Sequence, residues 1–315
     1  MDRPTCTYCA HHAVFVDRAS DLHFCGTHLK ESVERRVCEE IQLYTVTGTL
    51  GVAFSGGKDS TALLAALSAL QKRLNISLVA LTVDEGIARY REETIAHAKQ
   101  VCRTLAVPHK IISFKELFGR DLDDIISVSC NTHACTVCGI LRRRALEVLA
   151  EREGISLIAT GHNQNDIAQT FLMNLFSADL KKMVAGSFGT EGSSRFSQRI
   201  KPFFAVSERE VTMYGILCGL FEELIECPYA HHALRGEVRV LLSDLEYRRP
   251  GSISNIALCE REVRTELLRQ RESTGVSPLI PCKICGWPGS HEVCQVCTIL
   301  SRVGQKSRAD HALGI

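Results

Sequence analysis

The sequence predicts an α/β protein built on a doubly wound parallel sheet, with a small cysteine-rich module towards each end of the chain. Strand-like apolar runs alternate with helical patterns between residues 49 and 176, and this alternation is typical of a parallel sheet covered by helices on both faces. A glycine-rich turn joins the first strand of the series directly to its first helix, and paired cysteines lie near both ends.

The composition excludes several classes of protein. The chain of 315 residues is 45% hydrophobic and 23% charged, which is a globular composition. Its 37 basic and 36 acidic residues leave a net charge of +1, so any surface that binds nucleic acid must be local. The sequence contains no membrane-spanning run and no secretory signal, and we therefore expect a cytoplasmic protein with no membrane partner. Fifteen cysteines in that compartment indicate metal sites rather than disulfides.

The N-terminal module, residues 1–30, contains two ligand pairs with the spacing of a tetrahedral zinc site. The pairs are Cys6-x2-Cys9 and Cys25-x2-His28, with fifteen residues between them. Three other histidines could replace His28, namely His11, His12 and His23. Because so short a segment has few apolar side chains with which to build a core, we predict a structural zinc ion here.

The glycine-rich turn, Ser55-Gly56-Gly57-Lys58-Asp59-Ser60, lies between a predicted strand at 51–54 and a predicted helix at 60–71. Glycine allows positive φ angles and close approach of a ligand, and the first turn of a helix offers unpaired N–H groups. The turn is therefore predicted to bind an anion such as a phosphate. Its spacing matches neither the Walker loop nor the dinucleotide-binding fingerprint.

Several segments are expected to converge beside this turn. After a helix at 31–47, the predicted strands lie at 77–83, 110–114 and 156–160, and the predicted helices at 91–105, 139–152, 165–176, 206–227, 238–245 and 259–271. Ligands bind at the carboxyl ends of the strands in such sheets. The segments at those ends are Asp84-Glu85-Gly86, the run from Gly161 to Asp166, and the run from Ile200 to Phe203, which includes Lys201.

A separate group of cysteines, Cys135, Cys138 and Cys227, is called the cysteine triad below. Spacing pairs no fourth cysteine with it, and three thiolates suit a metal site that keeps one coordination position open. An iron–sulfur cluster on the triad would leave one iron free for an external ligand, with Cys130 as a candidate fourth ligand. A plain zinc site and a disulfide or persulfide pair of cysteines are the alternatives.

The C-terminal module, residues 276–315, contains a second tetrahedral zinc set. Its ligands are Cys282-x2-Cys285 and Cys294-x2-Cys297, with eight residues between the pairs. The last eighteen residues are basic and polar; we expect them to fray, and a loosely ordered RNA contact is the alternative. Residues 31–275 then form the domain between the two modules, with a helical C-terminal part.

The SGGKDS turn resembles the loop of the PP-loop ATP pyrophosphatase superfamily. Together with SFKELFG, CTVCGILRRRAL, TGHNQNDIAQTFLMN, IKPF, ECPY and the zinc pairs, it resembles the tRNA 2-thiouridine synthetases of the archaeal and eukaryotic wobble-uridine thiolation group. These enzymes are close to the TtuA-type thiolases of T-loop ribothymidine. The resemblance extends from Cys6 to Cys297; Asn165 departs from it, since the family usually has a second acid beside Asp166.

The resemblance implies a Rossmann-like PP-loop ATPase fold and a two-step reaction, in which ATP adenylates a uridine O2 and sulfur then displaces AMP. The implied cofactors are ATP, Mg²⁺, a 4Fe-4S cluster on the cysteine triad and two structural Zn²⁺ ions. The ATP-binding residues are then Ser55, Gly56, Gly57, Lys58, Asp59, Ser60, Asp84, Gly161, Asp166 and Lys201. Lys58 and Asp59 are also expected to act catalytically, Lys58 on the phosphates and Asp59 on magnesium or in proton transfer.

The implied partners are tRNA and a sulfur donor, either free sulfide or the thiocarboxylate of a ubiquitin-like carrier, and we expect a homodimer. The helix after His162 favours the wobble uridine over the T loop. Two other functions are open at this point. A PP-loop ligase or amidotransferase acting on a carboxylate would not need the cysteine triad, and a zinc-stabilised RNA-binding scaffold would not need Lys58 and Asp59.

Overall fold

The structure of the protein is a computed structural model, and it describes residues 4–46, 48–128, 134–179, 183, 196–223, 225–229, 234–274 and 279–312. A hairpin of strands β1 (Phe15–Asp17) and β2 (Leu22–Phe24) precedes helix α1 (Gly26–Gln42). This helix begins and ends earlier than the one predicted at 31–47. The reason is that its buried apolar stripe already begins at Leu29.

Five strands form the central sheet, and all of them run parallel, as predicted for the four strands that the sequence analysis found. In chain order they are β3 (Thr49–Ala53), β4 (Ser77–Asp84), β5 (His109–Ser113), β6 (Leu157–Thr160) and β7 (Gln198–Ile200). Their order across the sheet is β5-β4-β3-β6-β7, and every neighbouring pair is parallel. The sequence prediction missed β7, because a strand of three residues carries almost no alternation.

The strand order places a topological switch point at β3. From β3 the chain adds β4 and β5 on one side, and it then adds β6 and β7 on the other side. In open α/β sheets, ligands bind in a crevice at the carboxyl ends of the strands. This crevice forms where the connections on either side of it run in opposite directions. The glycine-rich turn follows β3 directly, so the fold places the turn at this crevice.

Helices cover the sheet between its strands. They are α2 (Lys58–Leu74), α3 (Tyr90–Thr104), the short α4 (Phe114–Phe118) and α5 (Leu122–Val128), α6 (Ala134–Arg152) and α7 (Gln164–Phe176). The sequence prediction contained neither α4 nor α5, since five and seven residues make fewer than two helical turns and show little periodicity. It also began α6 at residue 139, whereas the helix begins at Ala134 and includes the first two cysteines of the triad.

The C-terminal part is helical and ends in a second small hairpin. Its elements are α8 (Glu208–Leu217), α9 (Leu234–Arg248), α10 (Ser252–Thr274), β8 (Ile280–Pro281), β9 (Pro288–Gly289) and α11 (Gln295–Ala312). The predicted helix at 206–227 was wrong in its end, because Gly219, at φ +67°, follows the last turn of α8. The helices predicted at 238–245 and 259–271 are longer than expected. Part of the last eighteen residues, up to Ala312, belongs to α11.

Two apolar clusters pack the layers together. One joins α1, α2, α8 and the sheet, and Phe15 and Phe24 of the N-terminal hairpin belong to it. The other joins α5, α6 and the opposite sheet face, and it includes Cys282, Cys294 and Val296 of the C-terminal module. Both cysteine-rich modules therefore pack on the domain that carries the sheet. No helix in the described ranges is both long and apolar enough to cross a membrane.

Candidate active site and cysteine clusters

The glycine-rich turn forms an open helix N-terminus. Gly57 is the N-cap of α2, with extended backbone angles (φ −76°, ψ 166°), and no side chain of the described residues caps this helix. The N–H groups of the first turn are therefore available to an anion, and the helix dipole favours negative charge there. The hydroxyl oxygens of Ser55 and Ser60 lie 3.1 Å apart at the same point and add polar groups to the site.

Gly56 is required by the geometry of the turn. Its φ is +85°, and a Cβ at this position would lie 2.3 Å from the carbonyl oxygen of Thr94 in α3. That carbonyl belongs to the backbone of α3, and shifting a packed helix costs free energy. The turn therefore packs directly on α3, and glycine is the residue that permits both the backbone angle and the contact.

Gly56→Ala is expected to destabilise the protein by about 1–3 kcal/mol and to weaken nucleotide binding, because it introduces both backbone strain and a clash. Urea unfolding and a nucleotide titration measure the two effects. Gly57→Ala is the matched control for stability, since Gly57 has negative φ and its added Cβ would approach only Ser55 Oγ, at 3.4 Å. Equal stability of the two variants would contradict the role given to Gly56.

Lys58 and Asp59 form an ion pair at the mouth of the turn. Lys58 Nζ donates to Asp59 Oδ1 and to Glu208 Oε1, both at 2.9 Å. Burial raises the pKa of Asp59, and the Lys58 ammonium lowers it in part. For Lys58 burial lowers the pKa, but the two carboxylates outweigh burial and raise the pKa above its ordinary value. Lys58 therefore carries a positive charge that two acidic side chains hold in place.

The loop after β6 packs against this turn. An added Cβ at Gly161 would lie 3.1 Å from the backbone of Asp59 and Ser60, so the two loops are in contact. Asn163 caps α7 through a capping box with Asp166, and its amide also donates to Asp59 Oδ1 at 3.3 Å. Burial raises the pKa of Asp166, and the Asn163 backbone N–H lowers it in part. The fold thus brings Asp59 and Asp166 to one place.

Asp84 and Lys201, the remaining two predicted ATP-binding side chains, lie at the ends of neighbouring strands. Asp84 ends β4, where its Oδ1 accepts a hydrogen bond from the Gly86 N–H at 2.9 Å and shapes the next turn. Lys201 directly follows β7 and is half-buried, and burial lowers its pKa. Both positions agree with the expected convergence at the carboxyl edge of the sheet. Among the described residues, no hydrogen bond or ion pair joins either side chain to the glycine-rich turn.

A cationic cavity of about 630 Å³ opens beside Asp166. Five basic side chains line it, namely Arg143, Arg144, Arg199, Lys201 and Arg235, and Trp287 of the C-terminal module forms part of its wall. Burial, with the charges of Lys201 and Arg235, lowers the pKa of His162 in this cavity to about 4, so its imidazole is neutral at pH 7. A larger cavity of about 900 Å³ lies between the N-terminal hairpin, α8 and α9. The smaller cavity is suited to bind a polyanion, since most of its charged side chains are cations.

The cysteine triad is assembled from two separate segments. Cys135 and Cys138 lie in the first turns of α6, and Cys227 lies in the loop after α8. The Cys135 thiol donates to the carbonyl oxygen of Tyr229 at 3.3 Å, and the Tyr229 hydroxyl donates to Asp123 Oδ1 at 2.8 Å. These contacts hold the loop of Cys227 against the start of α6. The candidate fourth ligand, Cys130, lies outside the described residues.

The triad differs from a single-ion site in its spacing. Among described residues, there are two sets in which every ligand atom lies within 4.8 Å of every other ligand atom of the same set. The cysteine triad is not one of these sets. A four-iron cluster is larger than one ion, so wider sulfur spacing suits it. Burial raises the pKa of the Cys138 thiol to about 12 and also raises that of Cys227. Without a bound metal these two thiols are therefore protonated at pH 7.

The N-terminal set consists of Cys6, Cys9, Cys25 and His28, as predicted. The Sγ atoms of Cys9 and Cys25 lie 3.7 Å apart, close to the ~3.8 Å between two thiolates on one tetrahedral zinc ion. His28 Nδ1 lies 3.4 Å from Cys6 Sγ and 3.3 Å from Cys25 Sγ. His28 therefore completes the set, although His11 Nδ1 lies 3.3 Å from Cys9 Sγ on the exposed side. The set could hold one metal ion.

The C-terminal set is Cys282, Cys285, Cys294 and Cys297, also as predicted. The Cys294 N–H donates to Cys282 Sγ at 3.3 Å, and this backbone contact is the main reason that the pKa of Cys282 falls to about 6. Arg144 of α6 contacts the Cys285 and Cys294 sulfurs at 3.8 and 3.5 Å, and its guanidinium lies 4.2 Å from the Trp287 ring centroid. The module is thus fixed to the helix that carries two triad cysteines.

Sequence reasoning missed two residues of this site, Glu208 and Asn163. Glu208 reaches Lys58 from α8, 150 residues along the chain, and no local pattern reveals such a contact. Asn163 was interpreted as an ordinary helix cap, which it is, but its amide also contacts Asp59. The sequence signal for this contact was the position of Asn163, two residues after Gly161 in a loop that was expected beside the glycine-rich turn.

Comparison with known proteins agrees with this geometry. A family described as a PP-loop domain matches residues 29–217. The tRNA 2-thiolation protein NcsA of Haloferax volcanii is 32% identical over 95% of this chain and 98% of its own, and cytoplasmic tRNA 2-thiolation protein 1 of Drosophila erecta is 35% identical over 84% and 79%. The solved structure of the U34-tRNA thiolase NcsA from Methanococcus maripaludis with its 4Fe-4S cluster is similar at a TM-score of 0.80, with 29% identity and coverage of 95% and 96%. This chain belongs to the PP-loop family of tRNA 2-thiolation proteins.

Proposed function

We propose that this protein is an ATP-dependent tRNA sulfurtransferase that converts the wobble uridine to 2-thiouridine. The observation that supports this most is the combination of an anion-binding turn with a cysteine triad on one fold. A PP-loop ligase or amidotransferase would use the turn alone. The overall reaction is uridine plus ATP plus hydrosulfide to 2-thiouridine plus AMP plus pyrophosphate.

In the first step the uridine O2 attacks the α-phosphorus of ATP, and pyrophosphate leaves. The uncapped N–H groups of α2 and the Ser55 and Ser60 hydroxyls would bind the phosphates, with Lys58 as their counter-charge. Asp59 and Asp166 are the carboxylates that would hold Mg²⁺, which supplies further stabilisation of phosphate charge. Because these groups are already fixed in place, they need little reorganisation when negative charge develops on the phosphates in the transition state.

In the second step sulfur attacks C2 of the adenylated base, and AMP leaves with the former uridine oxygen. Cys135, Cys138 and Cys227 would hold the 4Fe-4S cluster, whose open iron supplies a site for the sulfur atom. The hydrogen bond from the Tyr229 hydroxyl to Asp123 Oδ1 would keep the Cys227 loop in place beside α5. The cations around the 630 Å³ cavity, including Arg143 and Arg235, would bind tRNA phosphates.

The two remaining cysteine sets are proposed to hold structural zinc. Cys294→Ser is expected to remove about one zinc ion per chain and to lower Tm, because metal binding supplies folding free energy to small modules. Metal analysis and thermal unfolding measure the two effects. Cys259→Ser, at an exposed cysteine of α10, is the control. Full zinc content in the Cys294 variant would contradict the assignment.

Other parts of the proposal concern the surroundings of the enzyme. We place it in the cytoplasm, as a homodimer, with sulfide or a ubiquitin-like thiocarboxylate carrier as the sulfur donor. We also keep the division into residues 1–30, 31–275 and 276–315. Because Phe15 and Phe24 pack in the main core, the boundary at residue 30 marks the end of the metal-binding segment. It does not mark a gap in the hydrophobic packing.

The test of the proposed function uses protein purified without oxygen. Iron and acid-labile sulfide are measured first, and the protein is then incubated with ATP, sulfide and a tRNA transcript. Nucleoside mass spectrometry is expected to show 2-thiouridine, and a transcript with cytidine at position 34 is expected to give none. Thiolation by an iron-free protein would contradict the cluster, and T-loop thiolation would contradict the wobble assignment.

A further inference from the structure

A charge bridge, buried at two of its three members, connects the glycine-rich turn to the helix of the cysteine triad. It consists of Arg91, Glu85 and Arg142. Glu85 Oε2 lies 2.8 Å from Arg91 Nε, and Glu85 Oε1 lies 3.6 Å from Arg142 Nη1. Glu85 and Arg91 are only 4% and 3% exposed. A carboxylate and a guanidinium are costly to bury at this depth unless a charged or hydrogen-bonding group stays opposite each of them.

At one end the charge bridge holds the backbone of the turn. Arg91 Nη1 donates to the carbonyl oxygen of Ser55 at 3.1 Å, and its Nη2 donates to that of Val83 at 2.5 Å. These carbonyls lie where the chain leaves β3 and near the end of β4. Arg91 also donates to Thr94 Oγ1 at 3.0 Å, on the residue whose carbonyl confines Gly56. Arg91 thus fixes the start of the phosphate-binding turn.

At the other end the charge bridge meets the helix of the triad. Arg142 lies four residues after Cys138 on α6, so the two side chains occupy one face of that helix. The charges of Glu85 and Arg142 both act on Cys138 and Cys227. Glu85 is therefore the central group between the backbone of Ser55 and the helix that presents two of the three cysteines.

We infer that Glu85 is a positioning residue, which fixes the cysteine helix relative to the nucleotide turn for the sulfur-transfer step. This inference rests on the proposed function. Adenylation needs the turn, which Arg91 holds through backbone carbonyls. Sulfur transfer also needs the triad at a set distance from the activated base, and a displacement of about 1 Å is enough to slow such a step by ~100-fold. Loss of Glu85 therefore acts mainly on the second step.

Glu85→Gln tests the inference, because it keeps the shape of the side chain and removes its charge. Arg142→Gln is a second variant at the more exposed end, where the arginine side chain is 55% exposed and its loss is tolerated better by the fold. Glu92→Gln, at an exposed carboxylate in the first turn of the same helix α3, is the matched control. All three are compared with the wild type in a single turnover with ATP, tRNA and sulfide.

Both bridge variants are expected to retain the burst of pyrophosphate within about 2-fold and to form 2-thiouridine about 10–100-fold more slowly. Their reduced clusters are expected to give altered electron paramagnetic resonance spectra, since charges near the thiolates change. Glu92→Gln is expected to match the wild type in all three measurements. Parallel loss of the burst and of thiolation would overturn the inference, as would unchanged thiolation and spectra. A wild type that does not thiolate tRNA would instead overturn the proposed function.

Discussion

Replacing Cys227 by alanine is expected to lower 2-thiouridine formation by at least ~100-fold while the protein remains folded. Cys227 lies in a loop outside both tetrahedral sets, so its loss removes no structural metal. Its side chain is half-buried and contributes little apolar area. Anaerobic thiolation assays, iron analysis and thermal unfolding on the same preparation measure the three effects. Cys135→Ala is expected to behave in the same way.

The Cys227 variant should still release a burst of pyrophosphate, because the turn that binds the phosphates is unchanged. Cys259→Ala, at an exposed cysteine of α10, is the matched control and should retain full activity. A folded Cys227 variant that thiolates tRNA at the wild-type rate would remove the triad from the chemistry. Unfolding of this variant, with Cys259→Ala intact, would show that the triad is structural.

Asp59→Asn is expected to slow tRNA-dependent pyrophosphate release by ~10²–10³-fold, a loss typical of removing one charged group that stabilises a transition state. Asp59 is the partner of Lys58, at 2.9 Å, and of the Asn163 amide, at 3.3 Å. The substitution removes a candidate magnesium ligand and releases Lys58 towards Glu208 alone. Burst kinetics of pyrophosphate measure the first step directly.

Two comparisons make the Asp59 result specific. Asp244→Asn changes an exposed carboxylate that pairs with Arg248 on α9, and it is expected to leave pyrophosphate release unchanged. Asp84→Asn keeps an oxygen that can accept the Gly86 N–H, so its effect is expected to be smaller than that of Asp59→Asn. Unchanged release in Asp59→Asn would exclude Asp59 from the mechanism.

Local pattern was enough to predict the sheet, the turn and both metal sets. The alternation of apolar strands and helices is a repeated signal, and the parallel sheet with helical layers is confirmed. The membership in the PP-loop tRNA 2-thiolation family is confirmed as well. In the N-terminal set His28 lies with the three cysteines in a group that could hold a metal ion, because a pair at x2 spacing at a helix start can converge on one point. The zinc ligands themselves stay a prediction.

Pattern failed where one residue or a distant contact decided the structure. Gly219 stops α8, so Cys227 lies in a loop rather than in the predicted helix. Glu208 and Glu85 act through partners that the fold brings close from other elements. The assignment of individual side chains to ATP and to the cluster stays a prediction, because no local pattern fixes which side chain contacts a bound group.

In the proposed reaction ATP adenylates O2 of uridine, and sulfur then replaces this oxygen. Tracing the oxygen atom into AMP is the most direct test of this sequence of steps. The reaction is run anaerobically in water enriched in oxygen-18, with unlabelled tRNA, ATP and sulfide. AMP is then examined by mass spectrometry and counted against 2-thiouridine. We expect AMP without oxygen from water, in equal amount to 2-thiouridine, because the new oxygen of AMP is the former O2 of uridine. AMP that carries oxygen from water would show simple hydrolysis of ATP and would contradict the account.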